Sequence, residues 1–133
     1  MTAPGPGPRP GDPGLWERFR AIRPKIRSEP LELPAPRGPG HRADRITLNE
    51  QTARRERRPH PDGSIEVVVD SGPLGALLLL LEWDDRGEPP VFGPVDQGEP
   101  DFPEGAIVAR FGGPPAASLP AKQILDLARF ALP

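Results

Sequence analysis

The sequence predicts an α+β domain in which a small antiparallel sheet is covered by a C-terminal helix. Three observations carry this prediction. In residues 64–70, Ile65, Val67 and Val69 alternate with Glu66, Val68 and Asp70, and β-branched side chains suit a pleated strand. Residues 105–111 read Gly-Ala-Ile-Val-Ala-Arg-Phe, a second strand pattern. Residues 119–132 then place apolar side chains on one helical face, which predicts a helix lying across the sheet.

Composition limits the compact part of the chain. The 133 residues include 22 Pro and 15 Gly, and only 35% are hydrophobic. We therefore expect residues 1–43 to be a basic, largely flexible Pro/Gly-rich arm with one short helix, and residues 44–133 to form the compact domain. The absence of Cys excludes disulfides, thiolate catalysis and cysteine zinc sites, and is consistent with a cytoplasmic protein.

Charge is divided unevenly along the chain. Residues 1–60 hold 13 Lys and Arg against 7 Asp and Glu, whereas residues 61–133 hold 4 against 12. The net charge of −2 conceals this division. A basic half followed by an acidic half indicates either attraction within the chain or two surfaces with different partners.

The arm contains a clear helix signal over residues 13–23. Asp12 is a good N-cap and Pro13 suits the first helical position. Leu15, Phe19 and Ile22 follow at i, i+4 and i+7, which makes one apolar stripe. We interpret this as a short amphipathic helix that packs on the sheet; a helix that binds a partner or an anionic surface is the alternative.

Two segments precede the central strands. Residues 45–50 alternate Ile46 and Leu48 with polar side chains, which predicts a short edge strand. Residues 54–58 read Arg-Arg-Glu-Arg-Arg, and we interpret them as a solvated loop or hairpin arm. A basic patch for nucleic acid, formed by Arg54, Arg55, Arg57 and Arg58, is the alternative.

The apolar run at residues 74–83 is ambiguous. Leu and Ala favour a helix by intrinsic propensity, and a buried helix fits the pattern as well as a buried strand. We favour a strand because the run is short, follows a Gly-Pro pair and contains Gly75. At this length it cannot span a membrane, which takes about 20 apolar residues, and the N-terminus lacks the apolar region of a secretory signal.

The remaining elements follow this run. A turn is predicted at residues 84–87, and a short edge strand at residues 90–93. Ser118 is the expected N-cap of the helix at residues 119–132. Phe130 points away from that helix's apolar face.

No motif for catalysis, cofactor binding or metal binding is present in the sequence, so we predict no enzyme activity and assign no residue to such a role. The acidic loops of the second half favour a binding surface, because carboxylates attract a basic partner and aromatic side chains anchor it. The residues of this predicted acidic face are Trp83, Asp84, Asp85, Glu88, Phe92, Asp96, Glu99, Asp101, Phe102 and Glu104.

The order of features from Ile65 onward resembles one group of bacterial proteins. An Ile-Glu-Val-Val-Val-Asp strand leads through Gly-Pro-Leu-Gly-Ala-Leu into an apolar segment. Phe111-Gly112-Gly113 ends a later strand, and a terminal helix carries Ala-Arg-Phe-Ala-Leu. This is similar to immunity proteins of polymorphic toxin systems that neutralise deaminase-type toxins. The resemblance implies stoichiometric binding and occlusion of a toxin's active site.

The sequence therefore favours a non-catalytic protein-binding module that blocks a partner, such as a basic toxin domain, through the acidic face. No cofactor and no membrane insertion are expected. Two alternatives stay open: a nucleic-acid-associated or regulatory protein that uses the basic half, and an assembly component whose arm orders on a neighbouring subunit.

Overall fold

The computed structural model describes residues 10–36, 38–70, 72–94, 106–112 and 118–133. Its helices are α1 (Pro13–Ile22), α2 (Pro73–Arg86) and α3 (Ala121–Ala128), with 3₁₀ turns at Arg23–Lys25 and Arg129–Ala131. Its strands are β1 (Arg27–Leu31), β2 (Arg42–Leu48), β3 (Gln51–Pro59), β4 (Ile65–Val69), β5 (Val91–Pro94) and β6 (Ile107–Phe111). The strands form one antiparallel sheet in the order β1-β2-β3-β4-β6-β5. The predicted α+β class, with its C-terminal helix, is confirmed.

The strand predicted at residues 74–83 is wrong, because these residues lie in helix α2. Pro73 occupies the first turn, and Gly87 ends the helix in the left-handed conformation at φ 74°. These are the positions where helices favour Pro and Gly. The ten residues from Leu74 to Trp83 are all buried, so this part of the helix is buried on every side. A helix that is buried on every side shows no hydrophobic periodicity, so the sequence pattern did not distinguish it from a buried strand.

Gly75 marks a close approach of backbone and not a strand. A Cβ placed on Gly75 would lie 1.9 Å from the carbonyl oxygen of Asp70 at the end of β4. The first turn of α2 therefore sits directly against the strand that precedes it, and only glycine leaves room for this contact.

The predicted edge strand at residues 45–50 is instead β2, which lies inside the sheet between β1 and β3. The edge is β1, within the segment that we predicted to be a largely flexible arm, and it carries Pro30 as edge strands can. The predicted loop at residues 54–58 is also wrong, because these arginines belong to β3, near the middle of the sheet.

All three helices cover one face of the sheet. Val67, Val69 and Phe111 point from the sheet into the main core, where they meet α2 and α3. Leu15, Trp16, Phe19 and Ile22 of α1 belong to the same core, as the predicted stripe requires. This helix, which we placed in a flexible arm, is thus part of the packed body; residues 1–9 lie outside the described residues.

Candidate functional site

The aromatic members of the predicted acidic face are buried. Trp83 is 4% exposed and Phe92 is 2% exposed. The Trp83 ring packs edge-on against Trp16, with centroids 5.4 Å apart, and lies 6.1 Å from the Phe92 ring. These two side chains hold α1 and β5 to α2, and they are not accessible as anchors for a partner.

Two acidic members of that face are paired within the chain. Asp84 accepts hydrogen bonds from Arg20, with 2.9 Å between Arg20 Nη2 and Asp84 Oδ1, and Asp85 lies 3.0 Å from Arg23. The hydrogen bond with Asp84 raises the pKa of Arg20. These pairs tie α1 to the end of α2, while Glu88 is exposed. Five further members lie outside the described residues: Asp96, Glu99, Asp101, Phe102 and Glu104.

The arginines of β3 alternate between the two faces of the sheet. On the helix side, Arg55 Nη2 lies 3.2 Å from Asp44, and Arg57 Nη2 lies 2.8 Å from Glu82 on α2. Arg86 Nε also donates to Glu82, at 2.9 Å. Burial acts to raise the pKa of Glu82, but the hydrogen bonds and charges of Arg57 and Arg86 outweigh it, so the pKa lies below its ordinary value.

On the opposite face, Glu56 is 1% exposed and is surrounded by two arginines and a histidine. Its carboxylate lies 2.8 Å from His41 Nε2, 3.1 Å from Arg54 Nε and 3.1 Å from Arg58 Nη2. Burial acts to raise the pKa of Glu56, but the hydrogen bond with His41 and the two arginines together lower it. Glu56 therefore stays ionised deep in the structure.

These pairings bear on two possible functions, nucleic-acid binding and acid–base catalysis. Each of the four arginines of the predicted basic patch contacts a carboxylate, so the patch is not an unpaired cationic surface. A general base works best with a pKa near the working pH. The lowered pKa values of Glu56 and Glu82 make both carboxylates poor candidates for that role.

A concave site lies between the first and last helices, and we call it the α1–α3 groove. Its volume is about 550 Å³. Buried Leu15 and Leu125 contribute its apolar lining. Its full lining is Pro10, Gly11, Asp12, Gly14, Leu15, Arg18, Lys122, Leu125, Asp126 and Arg129.

Local structure at Pro10 and Gly11 shapes one wall of this groove. The Pro10 carbonyl accepts a hydrogen bond from Trp16 Nε1 at 2.8 Å, which holds the entering chain against α1. Gly11 then adopts φ +88°, and a Cβ at Gly11 would lie 3.3 Å from Leu125 Cδ1. The chain thus passes close over α3 before Asp12 caps α1 through the Gly14 amide, at 2.9 Å.

A smaller cavity of about 230 Å³ continues along α1 toward the C-terminus. Arg18 lines both cavities, and Ile22, Lys25 and Leu132 line the second. Phe130 follows the lining residue Arg129 in sequence. It is 77% exposed, and among the described residues it is the large hydrophobic side chain that is exposed to solvent.

The sequence did not single out this groove. Its two sides are more than a hundred residues apart, and their meeting depends on α1 joining the core. The one available signal was Phe130, which falls off the apolar face of its helix. A hydrophobic residue placed outward on an otherwise amphipathic helix is a reason to look for a contact surface.

Two other classes of site are missing from the described residues. The described residues contain no group of three or more His, Asp or Glu side chains placed to hold a metal ion. No helix in this part of the chain combines the length and the apolar character needed to cross a membrane. No protein-family model, no curated protein and no solved structure matches the chain.

Proposed function

We propose that this chain is a non-catalytic protein-binding module that receives its partner in the α1–α3 groove. The observation that carries the proposal is a groove of about 550 Å³ with buried leucines in its lining, together with an exposed Phe130 in the turn that follows α3. Concave apolar sites with a few charged groups are typical binding sites, and exposed aromatic side chains often anchor partners. The proposal moves the contact surface away from the acidic face, whose aromatics Trp83 and Phe92 are buried.

The finer proposal is that binding neutralises a toxin. It is supported by the resemblance of residues 65–132 to immunity proteins, which act by occluding an active site. Such a function needs a stable complex and no catalytic group of its own. In this case the partner is a toxin domain, and a stoichiometric amount of this chain suppresses the toxin's activity.

Photo-crosslinking from two positions tests the general proposal. A photoreactive phenylalanine analogue is placed at Phe130, one residue after the lining residue Arg129, or at exposed Thr52 on β3 as the matched control. We expect position 130 to crosslink a partner protein in native cells and position 52 not to do so. The captured protein must then form a stoichiometric complex with this chain when both are purified.

Two results would contradict the proposal. One is crosslinking from position 52 and not from position 130. The other is a captured protein that forms no complex with the purified chain.

A further inference from the structure

We propose that one acidic amphipathic helix of the partner protein occupies the α1–α3 groove and the smaller cavity that continues from it along α1. Its apolar side chains lie on Leu15 and Leu125, and its carboxylates face Arg18, Lys25 and Arg129. This inference rests on the proposed function and extends it by naming the charge and the shape of the bound segment.

The charge of the lining carries the first part of the argument. Four cationic side chains line the two cavities (Arg18, Lys25, Lys122 and Arg129) against two side-chain carboxylates, although the whole chain has a net charge of −2. Both carboxylates are already engaged. Asp12 caps α1, and Asp126 lies 3.0 Å from Lys122.

Within the part of the chain that the structure describes, three of the four cations that line the cavities have no carboxylate partner. Among the described residues, Arg18, Lys25 and Arg129 form no ion pair with a carboxylate. By contrast, Arg20 and Arg23 beside the end of α2, and Arg57 on β3, are paired with carboxylates. The lining of the two cavities therefore carries a local surplus of positive charge, and a segment with carboxylates is its complement.

Shape carries the second part. The two cavities share Arg18 and follow α1 from its N-cap to Lys25, a path of about 20 Å at 1.5 Å per residue. An amphipathic helix of about three to four turns spans this distance and presents apolar side chains at i, i+3, i+4 and i+7. A phosphate backbone would satisfy the arginines but leave the leucines uncovered, so a polypeptide fits the lining better than a nucleic acid.

Defined peptides test the inference on the full chain. One amphipathic helical peptide carries Glu on its polar face, and a second replaces each Glu with Gln. Affinities are measured by fluorescence anisotropy near physiological salt, for the unchanged chain and for Arg18→Glu and Arg129→Glu. The matched control is Arg42→Glu, which reverses an exposed arginine outside the groove that forms no ion pair within the described residues.

We expect the acidic peptide to bind about tenfold more tightly than the Gln peptide, and each groove reversal to weaken it by about the same factor. Arg42→Glu should stay within about twofold of the unchanged chain, because long-range effects of net charge are screened. Amide shifts of the labelled chain should report contact at α1 and α3.

Several results would overturn the inference: equal binding of the two peptides, an equal loss in Arg42→Glu, or stronger competition from a single-stranded oligonucleotide than from the acidic peptide. A dimer of the chain that Arg18→Glu dissociates would assign the groove to a second copy. If the partner crosslinks at position 130 while the acidic peptide does not bind, the inference fails and the proposed function stands. If position 130 captures nothing and no peptide binds, both fail.

Discussion

At the scale of single residues, Glu82 shows how this fold keeps a carboxylate ionised inside its core. Its side chain is 6% exposed, and its two carboxylate oxygens accept hydrogen bonds, Oε1 from Arg57 and Oε2 from Arg86. Removing one partner of a buried ion pair is costly, since the remaining charge loses both water and its counter-charge. Glu82 therefore links α2 to β3 through charge as well as through packing.

We expect Glu82→Gln to lower the free energy of unfolding at pH 7 by about 2–3 kcal/mol, because Arg57 and Arg86 lose their shared counter-charge. Exposed Glu88 offers a matched control, and Glu88→Gln should change stability by less than about 0.5 kcal/mol. Urea denaturation followed by fluorescence measures both changes.

The difference in unfolding free energy between the unchanged chain and Glu82→Gln should also depend on pH. The pKa of Glu82 in the folded chain lies below its ordinary value of 4.5, so its carboxylate stabilises the fold above about pH 4.5. That contribution is lost as the pH falls through the lower folded pKa. The gap between the unchanged chain and Glu82→Gln should therefore narrow in acid. A gap that stays constant from neutral pH to about pH 3 would contradict this role.

At the scale of elements, α2 organises the molecule. It follows β4 immediately, packs against α3 and the sheet, and leads to β5 on the far side of β6. Its position requires the close contact between Gly75 and the Asp70 carbonyl. Leu77, Leu79 and Leu80 are each fully buried, so the helix forms the centre of the core rather than one side of it.

Gly75→Ala tests this arrangement. We expect a loss of about 3 kcal/mol in unfolding free energy, because a methyl group 1.9 Å from a backbone oxygen forces the helix away from β4. Gly38→Ala is the control, since a Cβ there meets no atom within 4 Å. Equal midpoints of thermal unfolding for the two variants would show that the first turn of α2 does not sit against the strand.

The elements that could be predicted were those with a readable period or cap. Asp12, Pro13 and the Leu15-Phe19-Ile22 stripe are sufficient to place α1, and Val67 and Val69 to place β4. Residues 74–83 could not be assigned in this way. A segment buried on all sides shows neither the 3.6-residue period of an amphipathic helix nor the two-residue period of a half-buried strand. The strand at residues 54–58 was missed because its charges are satisfied by Glu82 and Asp44, whose positions beside β3 depend on the tertiary fold.

At the scale of the whole molecule, the fold brings the basic first half of the sequence into contact with the acidic second half. Arginines of the first half pair with Glu82, Asp84 and Asp85 of the second half. This attraction within the chain was one of the two interpretations of the uneven charge. Among the described residues, the cations without an ion pair include Arg18 and Arg129 of the α1–α3 groove, which no single stretch of sequence contains.

Amide hydrogen exchange of the purified complex tests the central claim, that a partner binds in the α1–α3 groove, most directly. The chain is measured alone and in a stoichiometric complex with the protein that crosslinks to it. We expect slower exchange in α1 and in α3 with its following turn, and unchanged exchange in β2 and β3. Slower exchange confined to the sheet, with α1 and α3 unaffected, would contradict the claim.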